Sequence, residues 1–295
     1  MTETVGIIGL GIMGSAMATH LVTAGYRVVG HDILPDAMTR FTDLGGTPCG
    51  DVAAVAAQAS VLLTSLPSVA ALEVVVAALE AEPRGGLVLA ETSTFPLADK
   101  QAAAARLTAL GITMLDCPLS GSGAQAKTRD VLVYASGPAE AYARCLPVFE
   151  AFSRAPHLLG EFGNGTRMKL VANLLVAIHT AAAGEAFAMA RMAGLDPAQM
   201  FEVIADGAGG SSSLKVRGPM LIAQEYLPIR TMPLALWRKD MRVIAEFADS
   251  LQCPTPMFSA AVPLFNAAVA SGYGDQDTAA VAAVFRQMVE GSMDG

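Results

Sequence analysis

The N-terminal half of the chain alternates between short apolar runs and longer stretches in which apolar residues recur at helical spacing. Short apolar runs of this kind form strands that are buried on both faces of a parallel sheet. The pattern predicts strands at 5–8, 27–31, 60–64, 86–90, 112–115, 131–135 and 155–159, and helices at 15–21, 70–81, 97–110 and 138–152. Such alternation is typical of a doubly wound α/β domain with a mostly parallel sheet.

The alternation stops near residue 163, and the rest of the chain carries only helical patterns. These patterns predict helices at 167–192, 197–206, 212–224, 234–250, 256–271 and 276–290, with prolines and glycines at the joins. We therefore expect an α/β domain over residues 1–162 and an all-α domain over residues 163–295. The long helix that begins near residue 167 would lead directly out of the cleft between the two domains.

A glycine-rich segment follows the first predicted strand and precedes a helix. In this context the first glycine permits a tight turn, the second lets the backbone approach a pyrophosphate, and the third allows close packing of helix on strand. The helix N-terminus adds free N–H groups and a positive dipole. The segment predicts a Rossmann domain whose cofactor site includes Gly9, Leu10, Gly11, Ile12, Met13 and Gly14.

The second predicted strand ends at Asp32, 23 residues after Gly9. This is close to the spacing of about 20 residues at which an acidic residue accepts hydrogen bonds from the adenosine ribose. A carboxylate there would repel a 2′-phosphate, and no arginine follows directly. The cofactor is therefore expected to be NAD rather than NADP. The alternative interpretation is that Asp32 only caps the turn that leads into Pro35.

Lys169 and Asn173 stand four residues apart at the start of the long apolar helix, so they project from the same face. A lysine at the mouth of a dinucleotide cleft could take up or release a proton, whereas an asparagine cannot titrate and suits substrate orientation. The alternative is that Lys169 extends to solvent and that Asn173 is a tolerated polar residue.

Composition narrows the possible functions. Hydrophobic residues make up 53% and charged residues 16% of the chain, which indicates a globular protein with a large buried core. The net charge of −8 argues against nucleic acid or an anionic membrane as the main partner. The four cysteines show no metal-ligand spacing, so no metal site and reduced thiols in the cytoplasm are expected. The N-terminus lacks the basic start of a secretory signal.

These segments, taken together, resemble the β-hydroxyacid dehydrogenase family. The resemblance rests on the glycine-rich segment 9–14, the segment 116–121 (DCPLSG), Gly165 with Lys169 and Asn173, the pair Lys239-Asp240, and Gly272-Tyr273-Gly274 with Asp277. It covers essentially the whole chain. It implies reversible oxidation of a small anionic 3-hydroxy acid to its semialdehyde or keto acid, in a homodimer or homotetramer.

The resemblance also implies roles for individual residues. Lys169 would be the catalytic proton acceptor and donor, and Asn173 would hold the substrate. The substrate carboxylate would bind to Ser120, Gly121 and Ser122. The nicotinamide half of the cofactor would lie near Leu66, Pro67 and Thr94, with Lys239 closing over it from the second domain.

The chain departs from the family pattern at two glycines. Ser122 stands where the family has a second glycine in the substrate loop, and Arg129 stands about where a glycine precedes the next strand. A serine hydroxyl there suggests a more polar acceptor. Two alternatives remain open: a related aldehyde or imine reductase, or a non-catalytic NAD(H)-binding sensor. Retention of Lys169, Asn173 and the serine–glycine loop favours an enzyme.

Overall fold

The computed structural model describes residues 3–227 and 231–293, with side chains up to residue 289. The chain divides into two compact units, Met1–Lys169 and Leu170–Gly295. The division falls inside the long helix, shortly after the domain boundary that we predicted between residues 162 and 163. Each unit is described separately.

The first unit is built on a six-stranded parallel sheet with strand order β3-β2-β1-β4-β5-β6. The strands are β1 (Thr4–Ile8), β2 (Arg27–His31), β3 (Thr47–Pro48), β4 (Val61–Thr64), β5 (Val88–Glu91) and β6 (Thr113–Asp116). This order confirms the predicted doubly wound domain. The short edge strand β3 was not predicted, because two residues carry no periodic signal.

Helices cover both faces of this sheet. They are α1 (Ile12–Thr23), α2 (Pro35–Asp43), α3 (Val52–Ala56), α4 (Val69–Ala81), α5 (Leu97–Thr108), α6 (Gly123–Lys127) and α7 (Ala139–Phe152). Successive strand residues enter opposite cores: Ile7 and Leu63 pack on the side of α1 and α7, whereas Leu62 packs on the side of α3, α4 and α5. Burial on both faces explains why these strands read as continuous apolar runs.

A second, three-stranded sheet has the order β7-β8-β9, with β7 (Leu119–Ser120), β8 (Leu132–Ala135) and β9 (Ala155–Leu158). Strands β7 and β8 are antiparallel, and β8 and β9 are parallel. The strands predicted at 131–135 and 155–159 therefore exist, but they lie outside the main sheet. An antiparallel bridge between Asp116 and Ser136 joins the end of β6 to the residue after β8.

The described part of the second unit consists of helices joined by loops, with one isolated antiparallel bridge between Pro233 and Asp277. Helix α8 (Asn164–Met192) begins in the first unit and continues into the second, where α9 (Pro197–Ala205), α10 (Ser212–Ala223), α11 (Leu234–Ser250), α12 (Pro256–Ala268) and α13 (Val281–Met293) follow. A π-helical turn (Val269–Tyr273) and a 3₁₀ turn (Thr278–Ala280) precede α13, so the last helix begins later than the predicted residue 276. The predicted bounds of the other helices of this unit lie close to the observed ones.

Helix α8 is long and apolar enough to cross a membrane when judged by length and composition alone. Its inner face is nevertheless part of the core of the second unit, through Leu170, Ala177, Ala181 and Phe187. The buried hydroxyl of Thr180 also lies 2.9 Å from the hydroxyl of Ser213 on α10. These contacts identify α8 as a core helix of the second unit.

Candidate active site

The glycine-rich turn between β1 and α1 has the geometry that its spacing predicted. Gly9 has a φ of +89°, and a Cβ there would lie 2.2 Å from the carbonyl oxygen of Ser65. A Cβ on Gly14 would lie 1.9 Å from the carbonyl oxygen of Gly9. Among the described residues, no atom beyond the immediate neighbours of Gly11 in the chain lies within 4 Å of its Cβ position. The first and third glycines are thus required by the turn itself, whereas the second leaves the backbone open to a ligand.

This open turn fits a dinucleotide pyrophosphate. Gly11 caps α1 without a side chain, so the N–H groups of Ile12, Met13 and Gly14 are not bonded within the helix. Those groups and the positive end of the helix dipole attract an anion. The side chain of Ser15 steadies the turn by donating a hydrogen bond to the carbonyl oxygen of Leu10, at 2.6 Å.

Asp32 holds the turn from the end of β2. One carboxylate oxygen accepts a hydrogen bond from the N–H of Leu10 at 2.6 Å, and the other accepts one from the N–H of Leu34 at 2.8 Å. The aspartate therefore caps its own turn, as the alternative interpretation supposed, and also anchors the glycine-rich turn. Each carboxylate oxygen retains a second lone pair, so ribose hydroxyls can still bind there.

The loops after β4 and β5 are joined by hydrogen bonds. The N–H of Leu66 donates to the hydroxyl of Ser93 at 2.8 Å, and the hydroxyl of Thr92 donates to the carbonyl oxygen of Thr64 at 2.6 Å. The predicted cofactor residues Leu66, Pro67 and Thr94 therefore lie on adjoining loops at the carboxyl edge of the sheet. Ligands of open parallel sheets bind at this edge.

In the predicted substrate loop, Ser122 is the N-cap of α6. Its N–H donates to the side-chain oxygen of Gln125 at 3.0 Å, and its hydroxyl accepts the N–H of Gln125 at 3.3 Å. The sequence signal of this reciprocal capping box is a serine followed three residues later by a glutamine. The polar groups expected to meet the substrate at this residue are thus engaged with Gln125, and a substrate contact by Ser122 stays a prediction.

The other two predicted substrate residues of this loop, Ser120 and Gly121, lie before the capping box. Ser120 ends β7. Gly121 has a φ of +145°, and a Cβ there would lie 2.7 Å from the side chain of Val131. Arg129, on the far side of α6, has a φ of +61°, a left-handed conformation that favours glycine. Its guanidinium donates to the carbonyl oxygen of Glu150 at 2.7 Å, so a tertiary hydrogen bond accompanies this backbone conformation.

The first turn of α8, which carries Lys169, is attached to the ends of β6 and β8. The N–H of Thr166 donates to one carboxylate oxygen of Asp116 and its hydroxyl donates to the other, both at 2.7 Å. A Cβ on Gly165 would lie 2.2 Å from the carbonyl oxygen of Tyr134, so only glycine permits this close approach. Lys169 follows one turn later and is partly exposed.

A buried ion cluster that sequence reasoning missed lies beside this turn. Lys100 on α5 places its ammonium 2.6 Å from Glu91, at the end of β5, and 2.8 Å from Asp116, at the end of β6. Burial lowers the pKa of Lys100, but the two carboxylates together outweigh that effect and raise it above its ordinary value. Ala103 and Leu107 share the buried face of α5 with Lys100, and this spacing was the available signal.

In the second unit, Asn173 and Lys239 are linked through Asp240. The amide of Asn173 donates to Asp240 at 3.3 Å, and the ammonium of Lys239 lies 3.9 Å from the same carboxylate. Lys239 also lines a cleft of about 480 Å³ between α11 and α12, together with Arg238, Met241, Arg242, Ala245, Val262 and Asn266. The cations of α11 suit this cleft to an anionic ligand.

Comparison with known proteins assigns the chain to a family. Residues 4–163 match the family model described as the NAD binding domain of 6-phosphogluconate dehydrogenase, and residues 163–285 match the one described as NAD-binding of NADP-dependent 3-hydroxyisobutyrate dehydrogenase. The L-threonate dehydrogenase of Cupriavidus necator is 34% identical over 97% of each chain. The chain belongs to the β-hydroxyacid dehydrogenase family.

Two further relatives agree with this assignment. The 3-hydroxyisobutyrate dehydrogenase of Pseudomonas aeruginosa is 32% identical over 90% of this chain and 92% of that protein. The crystal structure of 3-hydroxyisobutyrate dehydrogenase from Salmonella typhimurium matches with a TM-score of 0.85 and 31% identity, over 96% of this chain and 99% of that one. The predicted family, fold class and hydroxyacid dehydrogenase activity are confirmed. The roles of individual residues stay predictions.

Proposed function

We propose that this chain is an NAD-dependent dehydrogenase of a polyhydroxylated 3-hydroxy acid and that Lys169 is its proton acceptor. One observation carries the proposal: the first turn of α8 is bonded to Asp116, at the same carboxyl edge of the sheet from which the glycine-rich turn leaves β1. A lysine on that turn stands beside the edge at which a dinucleotide binds.

In this mechanism the substrate loses a hydride from the carbon that bears its hydroxyl, while the hydroxyl proton passes to the Nζ of Lys169 and a carbonyl forms. Bound NAD supplies the hydride acceptor. An amine accepts a proton only when it is neutral, and partial burial and neighbouring positive charge are what lower the pKa of an active-site lysine. Lys100 cannot take this role, because two carboxylates hold its ammonium protonated.

Preference for NAD is supported by Asp32. A 2′-phosphate would approach a carboxylate that is already fixed by the N–H groups of Leu10 and Leu34. The next residues, Ile33 and Leu34, are exposed and apolar, so they offer a phosphate no countercharge. We expect kcat/KM to be at least about tenfold higher with NAD than with NADP, which steady-state rates with both cofactors will measure.

A polyhydroxylated substrate is supported by the relative named L-threonate dehydrogenase and by the polar α6 loop. The test is a panel of L-threonate, 3-hydroxyisobutyrate and D-glycerate with each cofactor, followed by NADH or NADPH absorbance. The fastest turnover is expected with L-threonate and NAD. An imine and an aldehyde are assayed beside the acids by consumption of NADH or NADPH. Turnover of these compounds alone would identify a related reductase, and tight NAD binding without any turnover would identify a sensor.

The role of Lys169 is tested with Lys169→Ala. We expect turnover to be abolished and NAD affinity to be retained, because the residue contacts the reacting oxygen. The matched control is Lys215→Ala on α10, which removes an exposed lysine paired with Asp206. Normal turnover in the Lys169 variant would refute the proposal.

A cytoplasmic homodimer or homotetramer completes the proposal. Helix α8 carries exposed apolar side chains at Met168, Val171 and Leu175, which a second copy could cover. All four cysteines are free thiols, which suits a reducing compartment. A monomer by light scattering at micromolar concentration would contradict the oligomer.

A further inference from the structure

The cluster of Glu91, Lys100 and Asp116 needs an explanation beyond stability. All three side chains are fully buried, and β5 and β6 place the two acidic residues directly opposite each other in register. Removing each charge from water costs several kcal/mol, so a buried ion pair is weak evidence for a stabilising role. The cluster is therefore expected to fix a particular arrangement of the chain.

Asp116 receives four hydrogen bonds, which occupy both carboxylate oxygens. One carboxylate oxygen accepts hydrogen bonds from the ammonium of Lys100 and the hydroxyl of Thr166. The other accepts hydrogen bonds from the N–H of Thr166 at 2.7 Å and the hydroxyl of Ser136 at 3.2 Å. The hydroxyl oxygen of Ser136 in turn accepts the N–H groups of Gly163 at 3.1 Å and Gly165 at 2.9 Å.

These bonds form a cap that α8 cannot supply for itself. The residue before the helix is Gly163, which has no side chain, and N-terminal N–H groups need a partner from elsewhere. Asp116 and Ser136 provide those partners from the ends of β6 and β8. A carboxylate at this end is also favoured by the helix dipole. The axial position and rotation of the first turn are thereby fixed.

Lys169 lies three residues after Thr166, which is about 4.5 Å along the helix axis and on the same side. Any slide or rotation of the first turn moves the lysine by a comparable amount. Misplacement of a reacting group by about 1 Å can lower a rate by about a hundredfold. The cap is thus close enough to control the chemistry.

We propose that Thr166 and Asp116, with Asp116 held by Lys100, are positioning residues that fix the Nζ of Lys169 for proton transfer. The inference rests on the proposed role of Lys169. It assigns a function to the buried cluster, and it explains why the threonine hydroxyl bonds an aspartate on a neighbouring strand rather than its own helix.

The test compares Thr166→Val, which removes the hydroxyl and keeps the branched shape, with Thr166→Ser, which keeps the hydroxyl. Thr180→Val is the matched control, because it removes another buried hydroxyl from α8, one that bonds Val176 and Ser213. Single-turnover hydride transfer is measured by NADH absorbance with the best acid of the panel, together with KM and NAD affinity.

We expect Thr166→Val to lower the hydride-transfer rate by about 10- to 100-fold, while the KM for the acid and NAD affinity change by less than about threefold. Thr166→Ser should recover the rate to within about threefold, and Thr180→Val should stay within about twofold of the unmodified protein. This split between rate and affinity separates positioning from general destabilisation.

A full rate in Thr166→Val, an equal loss in Thr180→Val, or a loss of NAD affinity in proportion to the rate would overturn the inference. If Thr166→Val does not fold, Ser136→Ala removes the acceptor of two N–H groups and must show the same split. Lys169→Ala is measured in parallel. Activity in that variant defeats the proposed role of the lysine, whereas its inactivity beside a fully active Thr166→Val defeats the positioning inference alone.

Discussion

Helix α5 carries two ion clusters of the same composition, one cation and two carboxylates, in opposite surroundings. Lys100 lies between Glu91 and Asp116 with every side chain fully buried. Arg106 binds Glu73 and Glu80 on α4, and these three side chains are 38%, 45% and 35% exposed. Sequence places both cations on one helix, and only burial distinguishes them.

The difference between the two clusters shows that burial decides whether water can compensate for the loss of one ion. Water can replace a partner in the exposed cluster, so its ions are individually dispensable. No water is available to the buried cluster, so removing one ion leaves the others uncompensated. The buried cluster therefore holds its neighbours in one arrangement, and among those neighbours is the first turn of α8.

The largest effect is expected from Lys100→Met, which keeps much of the aliphatic stem and removes the charge. Two carboxylates would then face each other without a cation, and we expect a loss of about 3–5 kcal/mol in the free energy of unfolding. Chemical denaturation will measure it. A loss below about 1 kcal/mol would place the buried cluster in the same class as the exposed one.

A second substitution, Glu91→Gln, should recover about half of that loss when it is added to Lys100→Met. The glutamine removes one of the two facing charges, and its carbonyl oxygen can still accept the N–H of Ser93, which now bonds Glu91 at 2.8 Å. Glu91→Gln alone is the control and should itself be destabilising. A double variant less stable than Lys100→Met would show that charge balance is not what the cluster needs.

Alkaline pH should reveal the buried lysine. The folded pKa of Lys100 is raised, so its contribution to stability is complete below the unfolded pKa of about 10.4 and is lost as the pH rises through the folded pKa. Denaturation midpoints should therefore fall more steeply above about pH 10.4 in the unmodified protein than in Lys100→Met. Burial also raises the pKa of Tyr226, but this tyrosine is present in both proteins and cannot account for a difference between their curves. Parallel curves would therefore contradict the prediction.

The smallest effect is expected from Arg106→Met on the surface. We expect almost no change in the denaturation midpoint at neutral pH. The hydrogen bond from Arg106 lowers the pKa of Glu80, so any contribution of this pair is present above the unfolded pKa and is lost as the pH falls through the folded pKa. Salt at about 1 M should screen the charges and remove the contribution of this pair. A midpoint difference between Arg106→Met and the unmodified protein that persists in such salt would indicate that Arg106 acts through packing.

Much of the fold was predictable because its signals are local. Strands buried on both faces appear as apolar runs, and two glycines follow from the local geometry of one β-turn-α unit: Gly9 has a φ of +89°, and a Cβ on Gly14 would meet the carbonyl oxygen of Gly9. The strands at 131–135 and 155–159 were found, but their membership of a second sheet was not, because strand pairing depends on distant residues. The substrate contact of Ser122 stays a prediction, and the structure adds a capping role for this residue at α6.

The sequence by itself determined the order of the elements, the glycine-rich turn, the acidic residue at the end of β2 and the lysine at the start of α8. These features depend on the spacing of residues along the chain, which can be read directly from the sequence. Only the tertiary structure decided that Lys100 is buried between two carboxylates and that Asp116 caps a helix fifty residues further along. The physical reason is that charge burial and capping from a neighbouring strand arise from partners that meet only when the sheet has formed.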